Sequence, residues 1–258
     1  MGKTPKGYFV WHELLTSDPT AAQTFYKKVV GWTTDKWGPD GTYTLWVSEA
    51  GPVGGCMAMP AEVKAMGAPP HWLTYVGTPD IDATAAHAKR LGGKVMKGPE
   101  DVPGVGRYAV LSDPQGAVFC LYQSGDDPGG HDAPPKVGQF SWHELATTDP
   151  KGAWAFYSEL FGWEKAGEMD MGPGGVYQMY GFGGVPMGGI YAKPPEVPVA
   201  NWLPYAKVKN ADASADTTKA SGGMVMVEPM DVPGGSGDRI AVAQDPQGAV
   251  FAVHSSNG

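Results

Sequence analysis

The stretch FVWHELLTSDPTAAQTFY at positions 9–26 returns as FSWHELATTDPKGAWAFY at 140–157, with a constant offset of 131 from Trp11/Trp142 to Tyr26/Tyr157. Residues 9–32 and 140–163 are identical at 13 of 24 positions, and DPQGAVF recurs unchanged at 113–119 and 245–251. DVPG stands at 101–104 and 231–234, so the offset drifts between 130 and 132 and short insertions separate otherwise equivalent halves. A chain that repeats itself along its length folds one design twice. Its 258 residues, 42% hydrophobic, suffice for two modest cores. The segment SGDDPGGHDAPPKVG at 124–138 carries the Gly, Pro and Asp of a linker. The expected division is domain 1 at 1–124, linker at 125–137 and domain 2 at 138–258.

Each half divides again. A shift of 62 aligns TSDPTAAQTFYKKVVG at 16–31 with TPDIDATAAHAKRLGG at 78–93, matching Thr16/Thr78, Asp18/Asp80, Ala21/Ala83, Lys27/Lys89 and Gly31/Gly93. Asp18 can cap a helix whose first position is Pro19, Ala22, Phe25, Tyr26 and Val29 recur at helical spacing, and Gly31 can end it. Asp149, Pro150, Ala153, Phe156, Tyr157, Leu160 and Gly162 repeat that design. An extended run precedes each helix, and runs such as TYTLWVS (42–48), RYAVLS (107–112) and AVFCLY (117–122) follow between Gly and Pro turns. The reading is α+β: strand, helix and three strands, made four times.

Composition narrows the function. The net charge is −8 with scattered Lys and Arg, so no basic patch and no nucleic-acid partner are expected. The longest apolar runs fall far short of the about 18 residues that a membrane span needs, so no membrane partner is expected. MGKTPKGYFVWHELL does not read as a signal peptide, and the expected location is the cytoplasm. Two cysteines, Cys56 and Cys120, make neither a disulfide framework nor a CxxC motif and are expected to be buried thiols.

A fourfold βαβββ module with FYxxxxGW after the first helix and DPQGAVF opening the last strand resembles the vicinal oxygen chelate superfamily, which includes glyoxalases, extradiol dioxygenases, and fosfomycin- and bleomycin-resistance proteins. The tandem WHEL form is similar to two-domain glyoxalase-like bacterial members. The resemblance implies that paired modules curl their sheets into two cup-shaped domains, each with a ligand in its concave side. It also implies where a metal ligand would stand: on first strands at Trp11, Leu73, Trp142 and Leu203, and on last strands at Cys120 and Ala252, with Met57 or Met59 in the first module. Relatives place His, Gln or Glu there. Tryptophan, leucine and alanine side chains offer a hard divalent ion no oxygen or nitrogen donor, so no metal and no other cofactor is expected. A relocated set, Glu13 with His71 and Cys120, or Glu144 with His254, stays open.

Neighbouring residues on a strand face opposite ways, so His12 and Glu13 do not serve one site together. In the register that the resemblance sets, Trp11, Glu13 and Leu15 face the cup, while His12 and His143 brace the back as hydrogen-bonded core histidines. The expected ligand-binding residues are Trp11, Leu73, Tyr75, Cys120 and Tyr122 in the first half, and Trp142, Leu203, Tyr205 and His254 in the second. Glu13 and Glu144 are the candidate catalytic residues: a carboxylate is expensive to bury alone, and one desolvated beside tryptophan can carry a proton. Arg107 and Arg239 open matching strands and could hold a substrate carboxylate, although a solvated strand end or an ion pair with a nearby Asp explains them better. The Gly-rich piece at 172–184 lacks a phosphate-loop pattern and is expected to form turns.

The expectation is a protein that binds a small aromatic or amphipathic molecule in a cup without the usual metal. The alternative is an enzyme, a lyase, isomerase or oxygenase, acting on a small carbonyl or aromatic substrate through Glu13, Glu144 or a displaced metal. Four modules in one chain make a monomer sufficient and leave a homodimer open.

Overall fold

The computed structural model describes residues 4–38, 41–125, 131, 133–234 and 237–256; residues 126–130 and 132 of the expected linker lie outside the described residues. The first module runs β1 (Phe9–Thr16), α1 (Pro19–Val29), β2 (Thr33–Trp37), β3 (Tyr43–Ser48) and β4 (Gly51–Ala58), followed by the short helix α2 (Ala61–Ala65). The second runs β5 (His71–Gly77), α3 (Ile81–Arg90), β6 (Lys94–Val102), β7 (Gly106–Ser112) and β8 (Val118–Ser124). The third is β9 (Phe140–Thr147), α4 (Pro150–Phe161), β10 (Glu164–Asp170), β11 (Val176–Phe182) and β12 (Val185–Ala192). The fourth is β13 (Asn201–Lys207), α5 (Ala211–Ala220), β14 (Met224–Asp231), β15 (Arg239–Gln244) and β16 (Val250–Ser255). The strand orders are β2-β3-β4-β1-β5-β8-β7-β6 and β10-β11-β12-β9-β13-β16-β15-β14, so each sheet is written by one half of the sequence. The fold is the expected α+β duplication.

Local chemistry sets the helix starts. The Asp18 carboxylate accepts from the Ala21 N–H at 3.0 Å and Pro19 opens α1; Asp149 does the same for Gly152 at 3.0 Å ahead of Pro150. Asp80 and Asn210 cap α3 and α5 through Ala83 and Ala213, both at 2.9 Å. Each cap contributes about 1 kcal/mol by satisfying a donor that no helical carbonyl reaches. Helix α4 ends at Gly162, whose φ of +81° a side chain would strain. The stripe Ala22, Phe25, Tyr26 and Val29 is buried, as is Ala153, Phe156, Tyr157 and Leu160. The Gly-rich piece supplies a short 3-10 turn at Gly172–Gly174 and the β11–β12 turn at Gly183 and Gly184.

The chain packs into two compact units that interleave the halves. Met1–Val10, Leu73–Ala133 and Trp142–Trp202 form the first unit; Trp11–Trp72, Pro134–Ser141 and Leu203–Gly258 form the second. The second and third modules therefore share one core, and the first and fourth share another. In the second unit the hydroxyl of Tyr26, from the FYxxxxGW motif, donates to Asp245 of DPQGAVF at 3.1 Å and accepts from the Trp72 indole at 3.0 Å. In the first unit Tyr157 donates to Asp113 at 3.1 Å and accepts from Trp202 at 3.0 Å. The motif tryptophans close the pattern: Trp32 donates to the Gly138 carbonyl at 2.7 Å, and Trp163 to the Gly7 carbonyl at 2.8 Å. The two most conspicuous repeated motifs thus meet one another, and their residues are architecture. Buried polar groups find partners in this way because leaving one unpaired costs about 1–3 kcal/mol.

Candidate functional site

The repeated opening strand sets one constellation in each unit. On β1 in the second unit, the Trp11 indole donates to the Tyr43 hydroxyl of β3 at 3.0 Å, and Tyr43 is hydrogen-bonded in turn to Glu13. On β9 in the first unit, Trp142 donates to Tyr177 of β11 at 2.7 Å, and Tyr177 donates to Glu144 Oε1 at 2.8 Å. Alternation along the strand explains the geometry, since Trp and Glu two residues apart share a face and one phenol bridges them. All six side chains are half-buried.

Two glycines make the bridge possible. Gly55 pairs with Glu13 across β4 and β1, and Gly189 pairs with Glu144 across β12 and β9. A Cβ at Gly55 would overlap the Tyr43 hydroxyl, and one at Gly189 would overlap the Tyr177 ring. A Cβ at the preceding glycines, Gly54 and Gly188, would overlap the carbonyl oxygens of His12 and His143. A double glycine here lets a tyrosine lie flat across the neighbouring strand.

The electrostatics follow from burial beside a carboxylate. Desolvation, and then the Glu13 charge, push the Tyr43 phenol far above its ordinary pKa; desolvation and Glu144 do the same to Tyr177. Both phenols keep their protons at neutral pH and act as donors. Burial pushes the Cys56 thiol up to about 12, with help from Glu13 and Asp245, so it is no nucleophile. The chain of indole N–H, phenol O–H and carboxylate fixes the carboxylate's orientation. Aromatic faces flank a carboxylate in each constellation, an arrangement that can orient a ligand or take up its proton.

The other residues expected from sequence fall as follows. Leu73, Tyr75 and Cys120 are buried in the first unit, where Tyr75 pairs with Cys120 across β5 and β8. Tyr122 is half-buried and donates to the Val105 carbonyl at 3.0 Å. In the second unit Leu203 is half-buried and Tyr205 is buried, opposite Ala252 on β16. His254 Nδ1 lies 2.9 Å from the Ser141 hydroxyl and Nε2 3.6 Å from Asp238, and desolvation lowers its pKa. His71 Nδ1 lies 2.7 Å from the Pro69 carbonyl. Among the described residues no three His, Cys, Asp or Glu side chains come together to hold a metal ion, so the set Glu13, His71 and Cys120 is not gathered. Arg107 forks onto Asp82 and Asp101, and Arg239 onto Asp212 and Asp231, so both arginines are engaged in ion pairs. Both cysteines are buried thiols, and no helix among the described residues is long and apolar enough to cross a membrane. A cavity of about 300 Å³ in the second unit, lined among others by Lys28, Trp32, Glu49, Lys209 and Asn210, includes neither constellation.

Tyr43 and Tyr177 stand outside the repeated motifs that mark the other site residues in the sequence. Their offset is 134 rather than 131, which hides them from an alignment anchored on the first helices. The same offset relates VGGCMA at 53–58 to MGGIYA at 187–192, and that repeated double glycine was the available signal.

The two WHEL histidines lie in the packed interior. His12 is 4% exposed and stacks on Phe140 with ring centroids 3.7 Å apart; His143 is 6% exposed and stacks on Phe9 at 3.7 Å. Burial lowers the His143 pKa to about 3, a hydrogen bond with the Met187 backbone opposing it. Its unfolded value is near 6.5, so between those limits the unfolded chain holds the extra proton and stability falls as pH falls. The contribution is fully present above pH about 6.5, and about 2 kcal/mol is lost on going to pH 5, at about 1.4 kcal/mol per unit. Urea unfolding of wild type and His143→Gln at pH 7.5 and 5.0 tests this. An equal pH-dependence in both proteins would show that His143 is not its source.

The family model of the Glyoxalase/Bleomycin resistance protein/Dioxygenase superfamily matches residues 8–121. CFP32 of Mycobacterium tuberculosis, named as a candidate glyoxylase, is 35% identical over 247 residues, covering 94% of this chain and 92% of its own. The anthracycline biosynthesis protein DauV of Streptomyces sp. is 30% identical over 267 residues, covering 98% and 94%. Among solved structures, the Mn(II)-bound glyoxalase from Novosphingobium aromaticivorans superposes with a TM-score of 0.66 at 16% identity, over 98% of this chain and 83% of that one. The 2,2',3-trihydroxybiphenyl 1,2-dioxygenase from Sphingomonas wittichii gives 0.67 at 11% identity, over 99% and 91%. At such identities the structural likeness is one of fold.

Proposed function

Because this chain belongs to the glyoxalase, bleomycin resistance protein and dioxygenase superfamily, we propose that it binds a small aromatic or amphipathic molecule in a cup-shaped pocket, without the superfamily's usual metal. The observation that carries this reading is the Trp–Tyr–Glu constellation, present once in each unit. Aromatic faces beside a fixed carboxylate suit a planar ligand that bears a hydrogen-bond donor. The relative named for anthracycline biosynthesis supports an aromatic ligand.

The metal of the Mn(II)-bound glyoxalase finds no fitting donor set here. In the register that the resemblance implies, the ligand positions fall on Trp11, Leu73, Cys120, Trp142, Leu203 and Ala252, which offer a hard ion no oxygen or nitrogen donor, and no three His, Cys, Asp or Glu gather among the described residues. The relative named as a candidate glyoxylase favours a second reading, an enzyme on a small carbonyl or aromatic substrate with Glu13 or Glu144 as proton carrier.

Calorimetric titration with 2,6-dihydroxyanthraquinone tests the first reading. Glu13→Gln and Glu144→Gln should each weaken binding at their own site by roughly 10–100-fold, the worth of a hydrogen bond to a charged group. Affinity unchanged in both variants would make the carboxylates scaffold. Stoichiometric Fe, Mn, Zn or Ni in protein prepared without a metal-affinity tag would overturn the metal-free reading and leave the enzyme.

A further inference from the structure

The two constellations share Trp, Tyr, Glu and Gly, but the next position on the same face differs. Two residues beyond Gly189 on β12 stands Tyr191; two beyond Gly55 on β4 stands Met57. The Tyr191 ring stacks on Tyr177 with centroids 5.7 Å apart and planes 25° from parallel. The strand partner changes in step, since Tyr191 pairs with Ala146 on β9 whereas Met57 pairs with Leu15 on β1. A large ring beside a small residue in one half answers a medium side chain beside leucine in the other, so each face is filled by its own pair.

The hydroxyls also differ. Tyr177 is committed, since it donates to Glu144 and accepts from Trp142. Among the described residues the Tyr191 hydroxyl has no hydrogen-bond partner, although the residue is half-buried. Three aromatic rings, Trp142, Tyr177 and Tyr191, therefore stand beside one carboxylate in the second half, with a phenolic O–H available in the same face. Burial and the Glu144 charge hold that phenol protonated, so it can donate as well as accept.

We infer that the two sites are not equivalent: the second-half constellation is the higher-affinity one, its ligand is a planar aromatic bearing oxygen substituents, and Tyr191 is the residue that selects it by stacking and by a hydrogen bond to a ring oxygen. The inference rests on the binding function proposed above and adds which site leads and what chemistry it reads. In the first half Met57 offers an adaptable apolar surface and no donor, so an oxygen-bearing ring gains less there.

The test is calorimetric titration of the full chain with 2,6-dihydroxyanthraquinone, with near-ultraviolet circular dichroism to confirm that each variant keeps its fold. Wild type should show one tight site, with the second at least about tenfold weaker, the worth of one hydrogen bond plus an aromatic contact. Tyr191→Phe should weaken the tight site about fivefold by removing the hydroxyl alone, and Tyr191→Met should bring the two sites together. The pair Leu15→Ala with Met57→Tyr should raise the weaker site toward the stronger. Two equal sites in wild type, or an unchanged tight site in Tyr191→Phe, would overturn the inference while Glu144→Gln still reports on the binding function itself. No binding at any site removes that function and the inference with it.

Discussion

Asp245→Ala lowers the unfolding free energy by about 4 kcal/mol, read as a shift in the urea midpoint at unchanged slope. The carboxylate serves three donors: one oxygen accepts from the N–H groups of Gln247 and Ala249 at 2.9 Å, the other from the Tyr26 hydroxyl at 3.1 Å. Ala249 and Tyr26 are fully buried, so water does not replace the lost acceptor. Each orphaned buried donor costs about 1–3 kcal/mol, and the Tyr26 hydroxyl also anchors the Trp72 indole. The helix cap Asp18 provides the comparison, since its carboxylate bonds an exposed N–H and Asp18→Ala should cost only about 1 kcal/mol. Equal losses in the two variants would refute the assigned role of the buried carboxylate. The same argument, through Tyr157 and Trp202, gives Asp113→Ala a similar effect in the other unit.

That pairing explains what a reader of the sequence could and could not see. Capping aspartates, the helical stripes and the four βαβββ modules are local signals, legible because a helix start or an amphipathic face is written within a few residues. Strand parity likewise separates Trp11 and Glu13 from His12. The partner of a motif is not local. Tyr26 and Tyr157 stand in identical FY contexts, and Asp245 and Asp113 in identical DPQGAVF contexts, so either pairing satisfies the same chemistry. Only the packed chain distinguishes them: Tyr26 bonds an aspartate 219 residues away, across the halves, while the sheets remain within them. Tyr43 and Tyr177 escaped for another reason. A longer second strand in the third module, Glu164–Asp170 against Thr33–Trp37, displaced their offset, and their role depends on the absence of a side chain at Gly55 and Gly189, which a search for chemical groups passes over.

Gly189→Ala, a change of one methyl group, should break the second-half constellation. The added Cβ would lie within the Tyr177 ring, so the ring must leave the strand it covers. Its hydroxyl then loses both Trp142 and Glu144, held at 2.7 and 2.8 Å, and its stacking on Tyr191. Overpacking of this kind costs about 1–3 kcal/mol, and losing the phenol that orients the carboxylate should reduce affinity for 2,6-dihydroxyanthraquinone at that site by at least about tenfold. A double-mutant cycle isolates the cause. In a Tyr177→Ala background the ring atoms that stand nearest the methyl group are gone, so Gly189→Ala should become nearly neutral, giving an interaction energy of about 2 kcal/mol. If Gly189→Ala is as harmful without the Tyr177 ring as with it, the glycine serves the strand backbone, and the steric account of the site fails. The first half supplies an independent check, because Gly55 stands against the Tyr43 hydroxyl in the same relation and Gly55→Ala with Tyr43→Ala should show the same coupling.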